Sequence, residues 1–298
     1  MKRSLALVGG LGYLGQALAV RLRADGLRYW IVGRQSLPDI LTNEEAYRSS
    51  SPHLAPAISG AHTVFHMASL STPSLGDANP MLDVENIRFT LSLINACEQE
   101  RVRHLVFMSS GGTVYGESST PRNEDDATHP CCSHGIGKLT CEHYLRLFSR
   151  RTGTCVTVLR IGNVYGGSQR AKGGQGVVGY LKERLANGQP FHLYGNTVRD
   201  YVYIGDVIEA FLQALKNPKG FRLYNIGTGV GTELIALANM AAEILGVKPS
   251  LEIVDQRPYD LAYNVLNCTR ACEELGWIAG TSLRGGLTKS LRSDSLIF

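Results

Sequence analysis

The stretch Gly9-Gly10-Leu11-Gly12-Tyr13-Leu14-Gly15 constrains this chain more than any other. It follows the apolar run Ser4-Leu5-Ala6-Leu7-Val8 and leads into Leu14 to Arg23, where Leu14, Leu18 and Leu22 share one helical face. A strand that passes through G-x-x-G-x-x-G into an amphipathic helix can turn tightly. Its backbone can then approach a pyrophosphate, which sits on the positive end of the helix. Gly9, Gly12 and Gly15, with Tyr13 and Leu14 between them, are therefore predicted to hold a dinucleotide.

The first half of the chain repeats the alternation of short apolar runs and longer amphipathic ones. Tyr29-Trp30-Ile31-Val32, Thr63-Val64-Phe65-His66-Met67, Leu105-Val106-Phe107-Met108 and Val156-Thr157-Val158-Leu159-Arg160 read as strands. Met81 to Gln99 reads as a long helix, and His143 to Arg150 belongs to another. Strands separated by helices build a parallel sheet covered on both faces, an α/β architecture. After about residue 163 the pattern loosens into a glycine-rich loop, Gly166-Gly167 to Gly173-Gly174, with turn signals at Asn217-Pro218 and Arg257-Pro258. Residues 1–165 are predicted to form the dinucleotide-binding domain, with further sheet strands from about 200–230. Residues 166–298 are predicted to form mainly a smaller substrate-binding lobe.

Composition narrows the partners. The net charge is +4, but Lys and Arg are scattered among Asp and Glu, so no nucleic-acid partner is expected. No run of about 18 apolar residues suggests a membrane span. Met1-Lys2-Arg3 leads into an apolar segment too short for a signal peptide. The 7 cysteines are odd in number and irregularly spaced, which suits reduced thiols and a cytoplasmic location. Cys131-Cys132-Ser133-His134 has no second Cys/His cluster to complete a metal shell, so no metal is expected.

The end of the second strand discriminates between dinucleotides. An acid there would accept from the adenosine ribose 2′-hydroxyl. Here Val32-Gly33-Arg34-Gln35 carries none, and Arg34 can meet a 2′-phosphate, which favours NADP over NAD.

With these residues in place, the chain resembles the extended short-chain dehydrogenase/reductase family, in particular its nucleotide-sugar epimerases and dehydratases of the UDP-glucose 4-epimerase type. The resemblance rests on the glycine loop, His66-Met67-Ala68, Asn86 within Val84-Glu85-Asn86-Ile87, and Ser109-Ser110-Gly111-Gly112-Thr113-Val114-Tyr115-Gly116. It continues through Leu159-Arg160-Ile161-Gly162-Asn163-Val164-Tyr165-Gly166, Arg199-Asp200-Tyr201-Val202, Tyr224-Asn225-Ile226-Gly227, Arg257-Pro258-Tyr259-Asp260 and Leu275-Gly276-Trp277. It implies a Rossmann-type doubly wound sheet with a C-terminal substrate lobe. It implies that Met67, Ala68, Asn86 and Lys138 join the glycine loop in binding NAD(P). It also implies that Asn163, Arg199, Arg257 and Asp260 hold a nucleotide-diphosphate sugar, a UDP-sugar first. The family pairs through its long helices, so a homodimer is implied, with contacts at roughly 81–99 and 141–150.

The family's chemistry uses a tyrosine four residues before the lysine, with a nearby Ser or Thr hydroxyl. This sequence departs at both places. Lys138 is present, but the tyrosine position is His134. An ordinary histidine titrates near pH 6.5, and a neighbouring Lys138 cation pushes it lower, so a neutral imidazole can accept a proton at neutral pH. Imidazole is shorter than a phenol, so the sugar must sit closer or a water must bridge. The hydroxyl position is Gly111, which leaves Ser110 as the first candidate and Thr113 as the second. Tyr115 is read as structural. A dehydratase would pair an Asp and a Glu where Gly112-Thr113 stand, so epimerisation or ketone reduction is preferred to dehydration. The readings that follow are a nucleotide-sugar epimerase most like a UDP-hexose 4-epimerase, a silent nucleotide-sugar or dinucleotide-binding protein, and an NADPH-dependent keto-sugar nucleotide reductase.

Overall fold

Alternate side chains of each central strand feed two separate cores, which is what a parallel sheet with helices on both faces requires. Leu5 and Leu7 of the first strand pack into one core, and Ala6 and Val8 into the other. The same division runs through Leu159 and Ile161 against Val156 and Val158. The structure is a computed structural model and describes residues 4–33, 54–167, 176–257 and 260–292.

In chain order the elements are β1 (Ser4–Val8), α1 (Tyr13–Ala24), β2 (Arg28–Val32), α2 (Leu54–Ile58), β3 (Thr63–His66), α3 (Pro73–Ala78), α4 (Met81–Gln99) and β4 (His104–Ser110). Next come α5 (Ser133–Thr152), β5 (Cys155–Ile161), β6 (Asn163–Tyr165), α6 (Val177–Ala186), β7 (Phe191–Tyr194), β8 (Val198–Tyr203) and α7 (Ile204–Lys216). The chain closes with β9 (Phe221–Ile226), β10 (Gly231–Glu233), α8 (Leu234–Leu245), β11 (Leu251–Val254), β12 (Tyr263–Asn264), α9 (Thr269–Leu275) and α10 (Leu283–Arg292).

The main sheet has the order β2-β1-β3-β4-β5-β9, with every pairing parallel. The order reverses at β1, since β2 lies on one side of it and β3 on the other. That reversal opens a crevice at the carboxyl ends of the strands, where α/β sheets bind ligands. The doubly wound α/β fold expected from the sequence is thus present. Among the described residues, no helix is long and apolar enough to cross a membrane.

The chain leaves β5 through Gly162 straight into β6, which pairs with β8 in a second, smaller sheet. That sheet is fastened to the main one by Asp200. Its fully buried carboxylate accepts from the backbone N–H groups of Thr228 and Gly229 beyond β9, from the Thr228 hydroxyl, and from the Leu266 N–H. Another buried anchor lies beneath the crevice. Glu142 of α5 takes two hydrogen bonds from Arg160 Nε and one from Arg160 Nη2 at 2.7 Å, and Ser109 also donates to it. These ties set β4, β5 and α5 in fixed register at the carboxyl edge.

Candidate functional site

The glycine loop is shaped to receive a ligand. Gly9 has φ +85°, and a Cβ there would lie 2.6 Å from the backbone nitrogen of Ala68. Only glycine allows this turn and this approach of the β1 and β3 ends. A Cβ on Gly15 would lie 2.5 Å from Gly10 Cα, so that glycine lets α1 pack on its own loop. Gly12 is different, because a Cβ there would meet only Gly9 O at 3.3 Å, which leaves its outer side open. Gly12 caps α1 without a side-chain hydrogen bond, and the first turn holds no acid. The helix therefore presents free N–H groups and an uncompensated positive end, which fits the pyrophosphate of a dinucleotide. Tyr13 turns its hydroxyl to the Gly166 carbonyl at 2.7 Å and ties this helix end to the loop after β6. Leu14 is buried, and Met67 and Ala68 continue the chain beyond β3 beside Gly9. Arg34 lies outside the described residues.

Lys138 and His134 stand one turn apart on α5, which puts them on the same face. The buried Lys138 ammonium donates to the Met108 carbonyl at 2.9 Å and lies 4.9 Å from the centre of the Phe107 ring. Its burial pushes its pKa below the ordinary lysine value, with Cys141, Asp83 and Glu142 opposing. A narrow pocket lined by Ala68, Asp83, Asn86, Phe107, Gly137 and Lys138 joins this helix to the wall of the glycine loop.

His134 is not a lone space-filler. Its Nδ1 lies 2.9 Å from Ser71 Oγ and 3.6 Å from Asp83 Oδ1. Ser71 donates its hydroxyl proton to Asp83 Oδ1, and Asp83 Oδ2 accepts from Ser133 at 2.7 Å. Burial alone would raise the Asp83 pKa, but the donors from His134, Ser71 and Ser133 outweigh it and hold the pKa at about 2. Asp83 is therefore an acceptor only. Ser71 spends its one proton on Asp83, so the Ser71–His134 bond must be donated by His134 Nδ1. Nε2 is left as the lone-pair nitrogen. Among the described residues it has no hydrogen-bond partner, and it is not fully enclosed. Burial lowers the His134 pKa, with Asp83 opposing and Lys138 adding to the fall, so the site favours the neutral ring over the imidazolium. Neither Ser71 nor Asp83 was singled out from the sequence.

Asn86 organises the same corner. Its Oδ1 accepts from Leu70 N–H at 2.8 Å, and its Nδ2 donates to Ser71 Oγ at 3.0 Å. Asp83, Asn86 and Thr90 form a polar stripe at i, i+3 and i+7 on α4. That stripe on an otherwise apolar-faced helix is the sequence signal that could have pointed to Asp83.

Across the crevice, the turn after β4 gathers unpartnered polar groups. Among the described residues, Ser110 Oγ has no hydrogen-bond partner. A Cβ on Gly112 would lie 3.7 Å from Ser110 Oγ and 3.8 Å from Asn163 Oδ1, so both side chains flank the same spot. Among the described residues, Thr113 Oγ1, Asn163 Nδ2 and Asn264 Oδ1 are buried without partners. Buried polar atoms are rarely left so unless a ligand or water meets them. Tyr115 is fully buried and gives its hydroxyl to Asn225 Oδ1 at 2.7 Å, in line with the structural reading.

The lobe residues also come together. Arg257 Nε donates to Asp260 Oδ2 at 2.7 Å, and Arg199 Nη2 lies 3.9 Å from Asp260 Oδ1. Asp260 thus holds two guanidinium groups side by side. Among the described residues, no group of three or more His, Cys, Asp and Glu could hold a metal ion.

A model of the NAD dependent epimerase/dehydratase family matches residues 5–227. The dTDP-4-dehydro-6-deoxyglucose reductase of Escherichia coli is 30% identical over 98% of each chain. The UDP-glucose 4-epimerase of Mycolicibacterium smegmatis is 30% identical over 96% of each. Among solved structures, the UDP-glucose 4-epimerase of Thermotoga maritima with UDP-glucose matches with a TM-score of 0.90 and 31% identity, over 97% of each chain. The UDP-glucose 4-epimerase of Thermus thermophilus in complex with NAD matches with a TM-score of 0.88 and 30% identity, again over 97% of each. The family model spans well over half the sequence, and relatives at 30% identity cover nearly all of it, so the chain belongs to the NAD dependent epimerase/dehydratase family.

Proposed function

We propose that this protein is a nucleotide-sugar epimerase, most like a UDP-hexose 4-epimerase, in which His134 replaces tyrosine as the proton-transfer group. The observation that carries this reading is the placing of His134, with Nδ1 engaged by Ser71 and Nε2 left open, one helical turn from Lys138 at the carboxyl edge of the sheet. When bound, a nicotinamide dinucleotide supplies a reversible hydride acceptor. The glycine loop and the N-terminus of α1 would hold its pyrophosphate, and Lys138 its nicotinamide ribose. His134 Nε2 takes the proton of the sugar hydroxyl and later returns it, so the reaction consumes no proton overall. Ser110 steadies that hydroxyl, with Thr113 the second candidate. Asn163 completes the sugar site, while Arg199 and Arg257 pair with the diphosphate and Asp260 keeps them aligned.

The UDP-sugar reading is supported by relatives that are UDP-glucose 4-epimerases. NADP is favoured by Arg34 in place of an acid, and NAD by the Thermus complex. A homodimer is supported by apolar side chains exposed on α4 and α5. A second reading, reduction of a keto-sugar nucleotide, is favoured by the E. coli reductase at 30% identity.

The test is product analysis with a panel of UDP- and dTDP-sugars, with NAD, NADP and their reduced forms in parallel. Wild type runs beside His134→Ala and His134→Tyr. The epimerase reading expects an epimer without net cofactor turnover, and its loss by roughly 10²- to 10⁴-fold in His134→Ala. Stoichiometric NADPH consumption with a 4-keto substrate would make the protein a reductase. Turnover seen only in His134→Tyr would make it a binding protein.

A further inference from the structure

The carboxylate beneath His134 sits in a chamber built for it. A Cβ on Gly76 would lie 2.3 Å from Asp83 Oδ2, and a Cβ on Gly137 would lie 3.1 Å from Asp83 Cβ. Two glycines, one on α3 and one on α5, thus clear the space that Asp83 enters from α4. The chain has three donors ready for it in Ser71, Ser133 and Asn86. A neutral apolar residue in that chamber would leave Ser71 with a free choice of partner, and its hydroxyl could then donate to His134 Nδ1. That would put the imidazole proton on Nε2, and a protonated Nε2 cannot accept from a substrate.

We propose that Asp83, acting through Ser71, is a positioning residue that holds His134 as its Nδ1–H tautomer and so presents Nε2 as the proton acceptor for the sugar hydroxyl. This rests on the reading of His134 as the proton-transfer group. The order of donors is complete: His134 Nδ1–H to Ser71 Oγ, Ser71 Oγ–H to Asp83 Oδ1. Asn86 fills the remaining lone pair of Ser71. The titratable groups about the ring are Asp83 from α4, and Lys138 and Cys132 from its own segment, while the loop before α3 contributes only the neutral Ser71. When His134 takes the substrate proton it becomes a cation 3.6 Å from the Asp83 carboxylate, which stabilises that charge.

The experiment reads the tautomer directly. Long-range ¹H–¹⁵N correlation spectra of the full ¹⁵N-labelled chain report which imidazole nitrogen of each histidine bears the proton. His134→Ala identifies the His134 signal by its absence. At pH 8 the wild type should show His134 protonated at Nδ1. In Asp83→Leu, which leaves the Ser71 hydroxyl free to donate to His134 Nδ1, the population should shift severalfold toward Nε2–H, and kcat should fall roughly 10- to 100-fold with KM little changed. In Asp83→Asn the side-chain oxygen can still accept from Ser71, so the tautomer should persist. The acid limb of kcat/KM should then move to lower pH, because the charge that favoured the imidazolium is gone. Wild type protonated at Nε2, or an Asp83→Leu spectrum unchanged from wild type, would overturn the relay whatever the activity. A His134→Ala protein as active as wild type would instead overturn the underlying reading, and the role assigned to Asp83 with it.

Discussion

Leu266 occupies the space that a side chain at position 111 would need. A Cβ on Gly111 would lie 2.6 Å from Leu266 Cδ1 and 3.1 Å from the carbonyl oxygen of Arg160. The position to which the resemblance assigns a hydroxyl is therefore filled from the other side, by a fully buried leucine packed with Val114 and Tyr115. Gly111→Ser should not restore a working hydroxyl. It should cost about 1–3 kcal/mol through overpacking, read as a lowered urea midpoint. Ser110→Ala, which fills nothing and removes an unpartnered hydroxyl, should leave that midpoint nearly unchanged while lowering kcat by roughly 10- to 100-fold. Unaltered turnover in Ser110→Ala would remove Ser110 from the site and turn attention to Thr113.

The glycine loop makes a sharper prediction about the cofactor. Gly9→Ala places a methyl group against the Ala68 backbone and forces alanine into φ +85°. Neither strand end can give way without breaking the Gly9 N–H to Val32 O and Met67 N–H to Val8 O bonds. Affinity for NAD or NADP, followed by quenching of intrinsic fluorescence, should fall by at least about tenfold. Gly12→Ala meets only the Gly9 carbonyl and should fold as the wild type does, yet its methyl group points to the open side of the loop. Its effect should therefore appear in cofactor affinity and not in the melting temperature. Equal melting losses in both variants would sink this division of labour.

Much of this arrangement was legible in the sequence, and the reasons it stopped where it did are physical. The run Ser4 to Val8 is apolar throughout because β1 is covered on both faces, and it proved to be β1 to the residue. Met81 to Gln99 had the length and periodicity of a surface helix and is α4. The helix seen at His143 to Arg150 begins ten residues earlier, at Ser133. Gly135 and Gly137 hid that first part, since glycine disfavours helix. Tertiary packing overrides the propensity, because a Cβ on Gly135 would strike the Thr113 carbonyl at 2.3 Å. Lys138, His134 and the glycine loop announce themselves by spacing. Ser71 does not, and the polar stripe on α4 points to Asp83 without naming its partner, because both meet His134 only when α5 packs against α4 and the loop before α3. The same holds for Leu266, whose meeting with Gly111 no local pattern records.

Acid should destabilise the fold in a way that one buried ring accounts for. His66 is enclosed between Phe89 and Phe107, with Nε2 2.9 Å from Thr90 Oγ1. Burial, and then the Lys138 cation, lower its pKa from 6.5 to about 3. The folded protein thus refuses a proton that the unfolded chain accepts. Its contribution is complete above pH 6.5 and is lost progressively as pH falls toward about 3. The slope in that window is at most about 1.4 kcal/mol per pH unit. His134, also lowered, adds in the same direction. Asp83, held at about 2, keeps its contribution down to a more acid range. His66→Gln, which keeps a polar group toward Thr90 and cannot titrate, should flatten the loss of stability between pH 7 and pH 5. Urea titrations at both pH values check this, and an undiminished difference in the variant would assign the acid sensitivity elsewhere.

The outer faces of α4 and α5 carry apolar side chains that the fold does not cover. Met81 is 60% exposed, Leu147 58%, Ile136 54% and Val84 44%, while the inner faces of the same helices are packed. Leu93, Cys97, Cys141, Leu145 and Phe148 line that packed side. Water solvates four exposed large apolar side chains on two adjacent helices poorly, and exposed apolar surface of this kind is what an interface covers. Two copies related by a two-fold axis would bring the same pair of helices together from each side, so one substitution is felt twice per dimer. The proposed homodimer therefore predicts that the wild type scatters as a dimer at micromolar concentration and that Leu147→Glu with Ile136→Glu scatters as a monomer, and a monomeric wild type would end that proposal. The circular dichroism spectrum should be retained, because neither side chain supports the core. His134 and Lys138 lie on the opposite face of α5 from Leu147, so a monomeric variant should still bind cofactor. A double variant that stays dimeric would place the interface on another surface, and one that loses its cofactor on dissociation would tie the packing of α5 to the state of the site.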